Sequence, residues 1–239
     1  MKKPIITTFV LLAFVSLSSL YAQNVVYETI YLQPKTDKLM ELVEAMKAHN
    51  EKYHGEGAYA ATGWQTVSGK HTGMILWTMG PFTFADLDNR PGEGGHDEDW
   101  MGKVMPHTHG MKDGNYWKMW NDFGYLPSEN YQGAIMRVMN MKIVPGKNEE
   151  FKHLMSAIQK VYDANSYGNS MTVFDNWSSD GQVDVAVVWQ YDNWAYFDND
   201  LNFSADYEEV HGDNSWGTFM EALREYTEFV GVEIFQRME

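Results

Sequence analysis

Eight histidines offer the readiest chemistry in this chain: His49, His54, His71, His96, His107, His109, His153 and His211. The densest set is His96-Asp97-Glu98-Asp99 followed by His107-Thr108-His109. Imidazole and carboxylate together form a borderline donor set suited to zinc, copper or iron. Alternate residues of an extended segment point the same way, so His107 and His109 can reach one ion together. On this reading His96, Asp99, His107 and His109 are the candidate metal ligands. The spacing matches no strong motif such as HExxH, and a plain acid-rich loop is the competing reading. His49 falls on the apolar face of a helix, as a satisfied core-edge histidine would. His153 falls between apolar positions and reads as solvated. His71 is in phase with Ile75 and Trp77, which puts it on their strand face. His211 precedes a helix. His71 and His211, with Trp77 and Trp189, are the candidate ligand-binding residues.

Asp198, Asp200, Asn202, Ser204, Asp206 and Glu209 follow the oxygen-ligand register of a calcium loop. Phe203 stands where the sharp turn of such a loop needs glycine, so a solvated acidic loop is the better reading. No glycine-rich phosphate loop, nucleophile elbow or pair of catalytic carboxylates is present. The chain has no cysteine, which excludes disulfides, thiolate metal sites and cysteine nucleophiles. Its 18 Lys and Arg against 33 Asp and Glu leave a net charge of −15, the wrong sign for gripping nucleic-acid phosphates. Hydrophobic residues at 44% are ample for a packed core. Nine Trp, 14 Tyr and 12 Phe suggest an aromatic-lined pocket for an apolar or ring-shaped small molecule, alongside ordinary packing.

The first segment reads as a secretory signal. Met1-Lys2-Lys3 is a short basic start, Ile5 to Leu20 is mostly apolar, and Ala22 offers a small residue for cleavage before Gln23. The apolar run is short for a membrane span. Residues 1–22 are therefore expected to be removed, giving a soluble secreted or periplasmic protein with no stable membrane insertion.

The elements that must position these groups come in two sets. Displaced by 112 positions, Leu39, Leu42, Val43 and Met46 fall on Phe151, Leu154, Met155 and Ile158. In the same register Gly69 falls on Gly181, Trp77 on Trp189, Phe82 and Phe84 on Trp194 and Tyr196, and Asp86 and Asp88 on Asp198 and Asp200. This predicts two copies of one unit, residues 23–126 and 132–239, with 127–131 as a linker. Each copy reads as strand, helix, strand, strand, helix, strand. In the second, Pro145-Gly146 ends a strand, and Phe151, Leu154, Met155, Ile158 and Tyr162 stripe a helix. Val183, Val185, Val187 and Trp189 alternate on a returning strand, and Trp216, Phe219, Met220 and Leu223 stripe the second helix. In the first copy a helix is expected over 37–53, a hairpin around Ser68-Gly69-Lys70, a helix over 97–105 and a closing strand over 115–123.

A duplicated βαββαβ order, with Trp77 and Trp189 late in the third strand and an aromatic helix start after each, resembles the ferredoxin-like dimeric α/β-barrel superfamily. That group includes antibiotic-biosynthesis-type monooxygenases, stress-responsive barrel proteins and NIPSNAP-like proteins. The resemblance implies an α+β fold in which two tandem ferredoxin-like units pack sheet to sheet as an intramolecular barrel, helices outside. It implies a small, mostly apolar or aromatic ligand bound in a cavity between the units. The alternatives are a monooxygenase, cofactor-independent or heme-dependent, and a non-catalytic structural or interaction protein. Heme-degrading members use an Asn, a Trp and a His at places roughly matched here by Asn140, Trp189 and His211. Asn140 is one residue out of phase with that set, and the first copy has Glu28 in its place. The residues name neither a cofactor nor an oligomeric state.

Overall fold

The computed structural model describes residues 25–90, 92, 94–129, 131–199 and 202–238. The expected signal segment 1–22 lies outside the described residues. The first unit opens with strand β1 (Val26–Pro34) and helix α1 (Leu39–Tyr53), followed by the hairpin of β2 (Ala61–Ser68) and β3 (Ile75–Phe82). A capped turn at Phe84–Asn89 leads to the short helix α2 (His96–Asp99), which runs on as one π turn, Trp100–Val104. Strand β4 (Thr108–Tyr125) closes the unit. The second unit repeats this order with β5 (Ile135–Ile143), α3 (Asn148–Asn165), β6 (Ser170–Asn176) and β7 (Val185–Tyr191). It ends with two helices, α4 (Phe203–His211) and α5 (Ser215–Tyr226), and strand β8 (Thr227–Arg237).

Local patterning explains these elements. In α1 the buried positions Leu42, Met46 and His49 recur at helical spacing. In α3 the buried stripe is Phe151, Met155, Ile158, Val161 and Tyr162, with Glu149 and Glu150 in the first turn where the helix dipole favours acids. Helix α4 stands where a calcium-like loop was the sequence alternative. Asn202 caps it by accepting from the Ala205 N–H, and Asp206 takes the Tyr167 hydroxyl as a hydrogen bond. Ser204, Asp206 and Glu209 therefore lie on a helix, and Asp200 is outside the described residues. The closing strand of the first unit starts earlier than 115, at Thr108, so His107 ends a 3-10 turn while His109 lies on β4.

The eight strands form one closed antiparallel barrel in the order β1-β3-β2-β8-β5-β7-β6-β4. Each unit supplies four neighbouring strands, and the two sheets join by hydrogen-bonded seams. One seam pairs β2 with β8 (Trp64 with Arg237, Thr66 with Phe235) and the other pairs β4 with β6 (Trp117 with Asn176, Met119 with Phe174). Alternation along each strand then sends residues inward or outward. Tyr31, Trp64, Leu76, Met136, Val188 and Phe235 pack together inside the barrel. On the helix side of the first sheet, Val26, Leu32, Ile75, Trp77 and Met79 pack with Leu42 and Met46 of α1. On the helix side of the second, Met171, Val173, Val185 and Val187 pack with Phe151 and Val161 of α3 and Phe219 of α5. Each sheet thus has both faces covered, as a layered fold requires.

Candidate functional site

The four residues expected to line a ligand cavity are spread over the molecule. Trp77 faces the helix layer, where its indole Nε1 donates to Asn50 Oδ1 of α1 at 3.0 Å. Trp189 holds the matching place in the second unit, against the helix-side core, with the Arg137 guanidinium 4.9 Å from its ring. His211 ends α4, and its Nε2 donates to the Ala157 carbonyl at 3.0 Å. His71 does not share the face of Ile75 and Trp77. Strand β3 begins only at Ile75, and the turn before it, with Gly69 and Gly73 at positive φ, swings His71 toward the barrel interior. The interior between the units is occupied by the packed side chains named above.

At the barrel mouth His71 joins the two units. Its Nδ1 donates to Glu233 of β8 at 3.0 Å, its backbone N–H donates to the same carboxylate at 2.9 Å, and its Nε2 donates to Asp113 of β4 at 2.7 Å. The Tyr31 hydroxyl donates to Glu233 at 2.8 Å, and the Tyr31 ring stacks on His71 with centroids 3.9 Å apart. Gly69 makes room for this contact, since a Cβ there would come within 2.7 Å of the Glu233 side chain. Burial opposes charge on His71, but its bonds to Glu233 and then Asp113 outweigh it and hold the imidazole above its ordinary range. Burial likewise opposes charge on Glu233, yet the His71 and Tyr31 bonds hold its carboxyl below the usual value. A histidine bracketed by two carboxylates is an imidazolium clamp, with no lone pair left for a ligand.

A second histidine cluster lies on the helix side of the first unit. Helix α1 buries His49 on the same stripe as Leu42 and Met46, and His54 follows at the end of the helix. Gly95, left-handed at φ 85°, opens α2 and brings His96 against both. One ring nitrogen from each of His49, His54 and His96 lies within 4.8 Å of the others. His54 Nε2 and His96 Nε2 are 3.1 Å apart. His54 Nδ1 donates to the Tyr59 carbonyl at 2.8 Å, and His96 Nδ1 to Asp97 at 2.7 Å. His49 Nδ1 meets Asp99 at 3.1 Å, and Lys103 bonds the other Asp99 oxygen. Tyr53, Trp77 and Trp100 wall the cluster, with ring centroids 5.0 to 5.3 Å from the nearest imidazoles. Burial pushes the His54 imidazole down to about 4, with His49 and His96 adding to the effect. Burial also holds His49 below its ordinary range, against the Asp99 bond.

Of the residues grouped as metal ligands from sequence, the fold brings together His96 and Asp99, and adds His49 and His54. His107 and His109 are not in the three-histidine group, and His109 is exposed on β4. His49 is buried as expected, but its Nε2 has no partner. His96 sits 42 residues from His54, so spacing along the sequence does not group them. The local signal was His49 and His54 flanking the end of one helix. The heme set does not assemble. Asn140 shares the inward phase of Met136 and Val138 on β5, whereas Trp189 lies with the outward-facing helix-side core. His211 is engaged with Ala157, so no heme step is derived from these residues.

No family model and no curated protein matches this sequence. Solved structures do match. A protein assigned as a monooxygenase from Lactobacillus acidophilus superposes at a TM-score of 0.58 with 12% identity, over 90% of this chain and 94% of that one. A second protein assigned as a monooxygenase, from Fusobacterium nucleatum, superposes at 0.60 with 10% identity, over 91% and 94%. A mutant chlorite dismutase from Candidatus Nitrospira defluvii superposes at 0.56 with 12% identity, over 90% and 92%. The fold is that of the dimeric α/β barrels, built here from two ferredoxin-like units in one chain. Within that class the likeness is to monooxygenase-like and chlorite-dismutase-like proteins, and at these identities it is a likeness of fold.

Proposed function

We propose that this chain is an exported oxidoreductase of the monooxygenase kind, acting on a small, mostly apolar or aromatic molecule. Two structures of similar fold assigned as monooxygenases support the reaction class. The observation that carries the reading is the shared closed barrel; beside it an open groove of about 260 Å³ runs along α1 and β2, lined by Val43, Met46 and Met238 together with Lys47, Glu51, His54 and Arg237. Its lining is as polar as it is apolar, so the aliphatic side chains can take a ring while the charged ones orient a polar end. Its volume suits a small molecule. The pocket borders the three-histidine cluster through His54, so a molecule held there would lie beside the most concentrated chemistry on this side of the fold.

The two units read as copies of one ancestral unit. Trp77 and Trp189, 112 residues apart, each pack into the helix-side core of their own unit. Oxygen uptake by the purified protein tests the activity, using a panel of phenols, quinols and polycyclic ketones. Uptake with an oxygenated product supports it. Tight binding of panel members without uptake would replace it with a carrier role. A mature N-terminus at Gln23 in a bacterial host would support export.

A further inference from the structure

We propose that His49, His54 and His96 are the protein ligands of a single divalent transition-metal ion of the zinc and copper class. A neutral imidazole has one N–H and one lone pair, and its hydrogen bonds reveal which nitrogen carries which. The Tyr59 carbonyl can only accept, so His54 Nδ1 carries the proton. The Asp97 and Asp99 carboxylates assign the proton in the same way to Nδ1 of His96 and His49. All three remaining lone pairs are then on Nε2.

These lone pairs have nothing ordinary to bind. His54 Nε2 and His96 Nε2 face each other at 3.1 Å as two acceptors with no donor between them. His49 Nε2 belongs to a side chain with 0% exposure and has no hydrogen-bond partner. Buried acceptors left unmet are costly, and one cation would satisfy all three. The 3.1 Å separation is close to the edge of a tetrahedron with metal–nitrogen bonds of about 2.0 Å, which is about 3.3 Å. Drawing His49 in requires a shift on the order of an ångström from the observed spacing.

The surrounding bonds have the form of an outer shell. Histidines that bind metals usually donate their second nitrogen to a carboxylate or backbone carbonyl, which fixes the ring and raises its basicity. Here two carboxylates and one carbonyl do so. Asp99 is therefore a positioning residue for His49 rather than a ligand, and Lys103 braces it. Three nitrogen donors without thiolate favour zinc, copper, cobalt or nickel over calcium or magnesium, which seek oxygen. Three protein ligands also leave a coordination position open, as in catalytic rather than structural sites.

This inference rests on the cluster and not on the oxygenase reading, so metal binding without oxygen uptake would sink only the latter. The test uses chelator-treated mature protein titrated with Zn²⁺ and with Co²⁺. One equivalent should bind, Co²⁺ should give a four-coordinate visible spectrum, and Zn²⁺ should raise Tm. His54→Gln and His96→Gln should each weaken binding at least ~100-fold, while His107→Gln and His109→Gln leave it unchanged. Asp99→Asn should weaken it by roughly 10- to 100-fold. Nitrogen NMR of the wild-type imidazoles needs no variant and should show three Nε2 resonances moving as zinc is added. Substoichiometric binding, indifference to His54→Gln and His96→Gln, or a proton shared between His54 and His96 with no zinc response would overturn the proposal.

Discussion

Replacing Glu233 by Gln tests the clamp at the barrel mouth. Glu233 is 4% exposed and receives hydrogen bonds from Tyr31, from the His71 ring and from the His71 backbone. Removing one member of a buried ion pair typically costs about 3–5 kcal/mol. His71 would keep Asp113, which is half-exposed and also faces Lys70 at 3.5 Å, so the expected loss is about 2–3 kcal/mol. For a chain of this size that lowers Tm by roughly 4–12 °C. The pH dependence carries a sign. His71 is raised above its ordinary 6.5, so its contribution is complete below that value and fades as pH rises through the raised one. Glu233 is lowered from 4.5 and Asp113 from 3.8, so their contributions are complete above those values and fade in stronger acid. The clamp is therefore strongest between about pH 4.5 and 6.5. Urea unfolding of wild type and Glu233→Gln from about pH 5 to 9 should show the gap largest near pH 6 and narrowing with alkali. A gap under about 1 kcal/mol, or one constant across that range, would refute the reasoning.

Two further outcomes follow from the packing. Phe151→Ala empties a fully buried position between α3 and the second sheet and should cost about 3–5 kcal/mol in denaturant unfolding, while exposed His153→Ala should stay within about 0.5 kcal/mol. Cutting the chain in the 127–131 connection should leave halves that aggregate apart but reassemble when co-expressed, as seen by size-exclusion chromatography, because each half exposes two strand edges that the other covers.

The barrel was legible because its signals are local. Leu42, Met46 and His49, or Val185 and Val187, declare their elements by spacing alone, and the 112-residue register exposes two units at once. Helix α4 was hidden by its acids, although Asn202 as cap and Phe203, Tyr207 and Val210 at helical spacing were in the sequence. The sites were less legible because their partners are remote. His71 and Glu233 are 162 residues apart, and which way His71 points depends on two glycines rather than on strand phase. Proximity in the sequence groups His96 with His107 and His109. The π turn Trp100–Val104 and the 3-10 turn after it instead separate them, while the left-handed Gly95 delivers His96 to α1.

The two seams have a consequence for life at high concentration. With the eight strands joined in a ring, no outer strand of the barrel offers its backbone amides and carbonyls as a template for a stray neighbouring chain. The same ring can assemble only when the last strand, β8, reaches β2, near the other end of the chain. Until that late contact forms, a growing polypeptide carries open templates, so the dangerous interval belongs to folding rather than to the finished protein.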